Sequence, residues 1–249
     1  MLPSLHRPAI VCALLLLVPV PGAAAEALLA VAANFTPVAV TLKGRFESHS
    51  AHTIAIASGS TGKLYAQIVN GAPYDAFLAA DRRRPALLEE QGIGVPGSRF
   101  TYAIGRLGIW IPGSEEPQHN PERLGSLRRV AIANPQLAPY GAAAEQVIAR
   151  LGLAGTLQGR IAVGENVAQA YAMVASGAAD GGLVAWSHLL AGGKVGEAWR
   201  VPAAWHEPIA QDALLLDNGA GNAAARDFLA YLQTEDALAV IRAAGYPTD

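Results

Sequence analysis

Ser58-Gly59-Ser60-Thr61-Gly62-Lys63 stands between the β-rich apolar run Thr53–Ala57 and the helical pattern Gly62–Asn70. A strand that ends in small hydroxylated residues and then turns helical is a strand-to-helix connection. Its two glycines let the backbone approach a ligand closely. The first N–H groups of a helix have no intrahelical partner and carry partial positive charge, so such a turn attracts anions. The tail of the stretch superficially matches a phosphate-binding loop. Gly62-Lys63 is followed by Leu64, however, which leaves no hydroxyl for magnesium and argues against nucleotide hydrolysis.

Similar turns recur along the chain. Ala32-Ala33-Asn34-Phe35-Thr36-Pro37 offers a strong N-cap residue and a proline suited to a first helical turn. Ala138-Pro139-Tyr140-Gly141 and Gly164-Glu165-Asn166-Val167 also fall between apolar runs and helical patterns. Each, taken alone, reads as ordinary capping. Converging on one point, they would make an anion cage that needs no arginine.

Outward from these turns the rhythm is β-α-β-α, which argues for an α/β fold with mostly parallel strands. Strands are expected at Leu28–Ala32, Thr53–Ala57 and Tyr74–Ala79, with helices at Pro37–Ser48, Gly62–Asn70 and Arg84–Glu90. Phe100–Ile111 is an extended run longer than the usual strand of about 5–6 residues, and it reads as a crossing between two lobes. The rhythm then resumes. Strands are expected at Val130–Ala133, Arg160–Val163 and Gly182–Trp186, and helices at Gly141–Leu151 and Val167–Ser176. Trp199–Leu216 reads as the return crossing, before helices at Asn222–Leu232 and Asp236–Ala244. Two crossings imply two lobes: residues 26–102 with 211–249, and residues 103–210. Each would be a mostly parallel sheet flanked by helices, with the crossings as hinge and the ligand beyond the carboxyl ends of the strands.

The N-terminus reads as a cleaved secretory signal peptide. His6 and Arg7 form a weakly basic start, Ala9–Val18 an apolar run, and Ala23-Ala24-Ala25 a small-residue cleavage site. The apolar run falls short of the roughly 20 residues that a membrane span needs. Cys12, the single cysteine, lies in this segment, so the mature 224 residues are expected to carry no disulfide and no thiol chemistry. The mature chain has 17 basic and 20 acidic side chains, without the basic patch that nucleic acid demands.

Other polar residues do not assemble into chemistry. His49 and His52 are three apart, His188 and His206 stand alone, and none has a metal-ligand neighbourhood. Asp75 and Asp81 read as structural or solvated carboxylates, Arg82-Arg83-Arg84 as a solvated helix start, and Trp186 and Trp205 as packing residues. Ser60 has no neighbouring histidine or acid in sequence to make it a nucleophile.

Over essentially the whole mature chain the sequence resembles the periplasmic molybdate-binding receptors that serve ABC transporters. The resemblance rests on Val31-Ala32-Ala33-Asn34-Phe35-Thr36, Gly59-Ser60-Thr61-Gly62-Lys63, and Gly71-Ala72-Pro73-Tyr74-Asp75-Ala76-Phe77-Leu78-Ala79-Ala80-Asp81. It continues through Ser98-Arg99-Phe100-Thr101-Tyr102-Ala103-Ile104-Gly105, Ala138-Pro139-Tyr140-Gly141 and Glu165-Asn166-Val167. It implies a type II periplasmic binding protein: a secreted, monomeric, non-enzymatic receptor without cofactor. Such a receptor takes molybdate or tungstate and delivers it to a permease at the inner membrane. It further implies that Asn34 and Ser60, helped by Thr61, donate from one lobe and the N–H groups of Tyr140 and Val167 from the other. Ala185 and Trp186 stand where many members have a tyrosine, and Asn34 where many have serine, as in an asparagine-containing branch. The alternatives are a receptor for another tetrahedral oxyanion such as sulfate, a hydrolase with Ser60 as nucleophile, or a sensor that uses the same cleft.

Overall fold

The computed structural model describes residues 24–114 and 120–247. Residues 1–23 of the expected leader, Cys12 included, lie outside the described residues, while its last residue, Ala25, is held beside β2 by the N–H of Thr53. The first sheet begins with β1 (Glu26–Ala32), α1 (Thr36–His49), β2 (Thr53–Gly59), α2 (Thr61–Val69), β3 (Ala76–Leu78) and α3 (Arg83–Glu90). β4 (Phe100–Gly105) and, from the far end of the chain, β10 (Ile209–Leu215) complete it in the order β2-β1-β3-β10-β4. The second sheet contains β5 (Leu107–Trp110), β6 (Val130–Ala133), β7 (Ile161–Gly164), β8 (Gly181–Ala185) and β9 (Ala198–Arg200), in the order β7-β6-β8-β5-β9. Its helices are α4 (Pro139–Arg150), α5 (Val167–Ala175) and α6 (Trp186–Ala191). The chain closes with α7 (Ala223–Tyr231) and α8 (Glu235–Ala243).

In each sheet four strands run one way and one runs against them. The reversed strands are β10 in the first sheet and β5 in the second. Both lie in the segments expected to cross between lobes. Phe100–Ile111 is thus two strands in two sheets, separated by Arg106. The lobe boundaries expected at 102/103 and 210/211 fall inside β4 and β10. The chain changes sheet at Arg106 on the way out and between Arg200 and Ile209 on the return. The strand expected over Gly182–Trp186 stops at Ala185, because Trp186 opens the unanticipated helix α6.

Helices cover both faces of each sheet. α1, α7 and α8 bury Leu42, Phe46, Phe228 and Ile241 on one face of the first sheet, while α2 and α3 bury Leu64, Ile68 and Leu88 on the other. In the second sheet α4 contributes Ala144 and Val147, and α5 packs Ala170 and Val174 against Trp110 and Val184. The alanine content lets α4 lie close to β6. A Cβ on Gly141 would collide with the carbonyl of Ala133.

Register places the turns. β1 and β2 pair in parallel from Glu26↔Thr53 to Ala32↔Gly59, so they end level and their outgoing turns lie side by side. Ala33 N–H donates to the Gly59 carbonyl at 2.9 Å. β6 and β7 do the same, ending at Ala133↔Gly164, and Asn134 N–H donates to the Gly164 carbonyl at 2.7 Å. Two adjacent turns in one lobe therefore face two adjacent turns in the other.

Candidate functional site

The four turns meet in one small cavity between the lobes. Ala33, Asn34, Ser60, Thr61, Tyr140, Asn166 and Val167 line it, with Ala80 beyond β3, Ala138 ahead of α4 and Pro139 at its start. All five residues expected at the site, Asn34, Ser60, Thr61, Tyr140 and Val167, are among them. They sit beyond the carboxyl ends of parallel strands, where open α/β sheets hold ligands. The space it encloses is narrow, on the order of one water molecule. No acidic, basic or histidine side chain is among its lining residues.

Its polar groups are mostly donors. Ser60 is the N-cap of α2, but its hydroxyl makes no capping bond. That hydroxyl is buried and has no hydrogen-bond partner among the described residues, and Ser60 is 2% exposed. An unpaired buried hydroxyl costs roughly 1–3 kcal/mol, so a ligand is its natural partner. Tyr140 and Val167 lie in the first turns of α4 and α5, where a backbone N–H has no intrahelical acceptor. Pro139 ahead of Tyr140 has no N–H to spend. Asn166 caps α5 by accepting from Gln169 N–H at 3.0 Å, which leaves Val167 N–H uncommitted. The Thr61 hydroxyl oxygen accepts Ala80 N–H at 3.1 Å and so ties the second turn to the end of β3.

Asn34 departs from expectation. It does not cap α1, whose N-cap is Phe35 with no side-chain cap. Its side-chain nitrogen donates to Gln211 Oε1 at 2.8 Å and to the Tyr246 hydroxyl at 3.1 Å, so both amide protons are committed behind the turn. The backbone N–H of Asn34 has no partner among the described residues, and Asn34 is among the residues that line the cavity. The Asn34 side chain belongs to a buried polar cluster. Tyr102 donates to Gln211 Oε1 at 3.1 Å, and the Ser187 and Tyr246 hydroxyls lie 2.8 Å apart. Burial pushes the phenols of Tyr102 and Tyr140 well above the ordinary tyrosine value and that of Tyr246 up to about 12, so all three stay neutral. The register of β10 against β4 shifts between Gln211 and Asp212. Both of these consecutive polar side chains are buried, one toward Asn34 and the other toward Arg99 and Thr101. Gly105 is needed beside the cluster, since a Cβ there would stand 2.5 Å from the Tyr140 hydroxyl.

The lobes are drawn together at the cavity. Gly62 N–H donates to the Leu137 carbonyl at 2.8 Å, Lys63 pairs with Glu165 at 2.9 Å, and Arg84 reaches the Gln136 carbonyl at 3.2 Å. Arg84 also pairs with Asp81, whose carboxylate caps α3 through Arg84 N–H. Asp75 accepts Leu28 N–H at 2.7 Å in a structural bond. His52 pairs with Asp227, and His188 approaches the Ala33 carbonyl. No cluster of three metal-ligating side chains exists among the described residues. Trp186 stacks under Arg200 and Trp205 under Arg150, both outside the cavity. Ala185 does not line it either.

Residues 27–247 match the family model of the bacterial extracellular solute-binding proteins. The molybdate-binding protein ModA of Rhodobacter capsulatus is 42% identical, over 99% of this chain and 98% of its own length. The molybdate-binding protein ModA of Azotobacter vinelandii is 44% identical, over 90% of each chain. A solved structure of the Azotobacter vinelandii periplasmic molybdate-binding protein superposes with a TM-score of 0.84 at 41% identity, over 90% of this chain and all of its own.

Proposed function

The chain belongs to the family of bacterial extracellular solute-binding proteins, and from that premise we propose that it is a receptor for molybdate, or tungstate, outside the cytoplasm. In this reading it works as a monomer in the periplasm, encloses the oxyanion between its lobes and hands it to an ABC transporter permease at the inner membrane. The names of its relatives support the ligand and the role. The observation that carries the reading is the orphaned, buried hydroxyl of Ser60 in a cavity lined by helix-opening turns and by no charged side chain.

A tetrahedral dianion presents only acceptors. Neutral donors satisfy it without burying an opposite charge, whose desolvation is expensive. Each helix start adds up to about 2 kcal/mol when partly buried, and each charge-assisted hydrogen bond roughly 1.5–3 kcal/mol. The donors in this proposal are the Ser60 hydroxyl and the N–H groups of Asn34, Ser60, Thr61, Tyr140 and Val167. The tyrosine hydroxyl that many members contribute is replaced by backbone. Protonated phosphate brings a donor of its own and meets no matching acceptor among backbone N–H groups, while cavity size separates molybdate and tungstate from the smaller sulfate. The reading assigns no catalysis to Ser60, because no base lines the cavity with it. Calorimetric titration of the mature protein with molybdate, tungstate, sulfate and phosphate tests it. Binding of the first two is expected, and binding of sulfate without them would overturn the reading.

A further inference from the structure

His188 lies on α6, in the second lobe, but its ring reaches the first anion-binding turn from behind. His188 Nε2 is 3.3 Å from the Ala33 carbonyl oxygen. A carbonyl only accepts, so Nε2 carries the proton and donates. The other ring nitrogen, Nδ1, is buried and has no partner among the described residues. Leaving it orphaned costs free energy, so the single bond to Ala33 is what the buried ring gains.

The Ala33 carbonyl belongs to the same peptide unit as the N–H of Asn34. In a trans peptide the two groups point in opposite directions along a rigid plane. A donor that grips the carbonyl from behind therefore fixes the direction of the N–H in front. It also polarises that N–H, since hydrogen bonds in a chain through one amide strengthen one another. The next carbonyl, that of Asn34, is gripped as well, by the Tyr246 hydroxyl at 2.7 Å and the Ser187 hydroxyl at 3.3 Å. Ser187 and His188 come from the same turn of α6, so one element of the second lobe holds both peptide planes of the first lobe's turn.

We infer that His188 is a positioning residue for the oxyanion, acting through the Ala33–Asn34 peptide rather than by contact. The inference rests on the receptor function proposed above. His188 is kept as the neutral Nε2–H tautomer, and its bond to Ala33 sets the orientation and donor strength of the Asn34 N–H. A glutamine at this position retains a donor of similar reach, whereas a methionine fills the space without one.

The test compares oxyanion affinity in wild type, His188→Met and His188→Gln, alongside the imidazole 15N spectrum of the wild-type protein. His188→Met is expected to bind molybdate roughly three- to tenfold more weakly, and His188→Gln to recover most of that loss. Wild-type affinity in His188→Met, or equal weakness in both variants, would overturn the inference. A wild type that binds no molybdate, tungstate or sulfate would instead remove the function beneath it, and the two failures are thus distinct. The 15N spectrum stands apart from folding of the variants and from binding. It must show His188 protonated at Nε2 alone at neutral pH, and an Nδ1–H or doubly protonated ring contradicts the inference.

Discussion

The N–H of Gly62 donates to the carbonyl of Leu137 at 2.8 Å, joining the start of α2 in one lobe to the loop before α4 in the other. A Cβ on Gly62 would stand 3.0 Å from that carbonyl oxygen and 3.1 Å from the Leu137 Cα. The bond closes the cleft beside the cavity, and a Cβ at this distance would press on the Leu137 backbone that accepts it.

Gly62→Ala is therefore expected to loosen the closed form while favouring the helix. Alanine in a helix gains up to about 1 kcal/mol over glycine. The unliganded melting temperature should stay level or rise, whereas oxyanion affinity falls roughly three- to tenfold. Calorimetry with a thermal scan reads both, and undiminished affinity would show that this bond plays no part in the bound form.

The Lys63–Glu165 pair beside it contributes little by itself. Both side chains are about half exposed, and exposed pairs are worth roughly 0.2–1 kcal/mol. A double-mutant cycle on ligand affinity should give a coupling within that range at low salt, fading as ionic strength rises. A coupling above about 2 kcal/mol would contradict a solvated clasp.

Ser60→Ala and Asn34→Ala should separate binding from folding. Removing the Ser60 hydroxyl takes away a buried group with no partner among the described residues, so the unliganded protein should be as stable as wild type or more so. Oxyanion binding should weaken by about 1–3 kcal/mol. Asn34→Ala strips a donor from Gln211 and from Tyr246, and is expected to cost about 1–3 kcal/mol of stability with a smaller effect on affinity. Thermal unfolding with and without molybdate distinguishes the two patterns.

That contrast marks the limit of what the sequence makes legible. The helix starts are readable because their signals are local: Pro139 and Asn166 stand at the positions that open α4 and α5. The crossing at Arg106 is readable from the unusual length of Phe100–Ile111. The role of the Asn34 side chain is not, because its partners Gln211 and Tyr246 lie 177 and 212 residues away. Helix α6 escapes notice for another reason. It is six residues long, has no capping side chain and follows directly on a strand. Strand direction is likewise invisible locally, so the reversal of β5 and β10 emerges only from pairing.

His188 also predicts a pH dependence. Burial lowers its pKa below the ordinary 6.5, against an opposing contribution from the Ala33 bond. Tyr171 of α5 packs its ring 5.7 Å away, and Tyr246, whose phenol burial pushes up to about 12, faces the neighbouring Ser187. The unfolded chain then takes up a proton that the folded chain refuses. The stability from neutral His188 is complete above about pH 6.5 and is lost as pH falls from there toward the folded pKa. Glu89 and Glu197, whose pKa values are held below 4.5 by their hydrogen bonds, lose theirs only at more acid pH. Urea unfolding of the unliganded protein between pH 7 and 5 should show a shallower decline for His188→Gln than for wild type. Parallel declines would place the titration elsewhere.

The central claim is that neutral donors from four helix-opening turns hold the anion. The most direct measurement is a crystal structure of the mature protein with tungstate, read by the anomalous signal of the metal. One strong peak is expected in the cavity between the lobes. The tungstate oxygens should lie about 2.7–3.1 Å from the Ser60 hydroxyl and the N–H groups of Asn34, Tyr140 and Val167. A peak outside that cavity, or oxygens bound to an arginine or lysine, would contradict it.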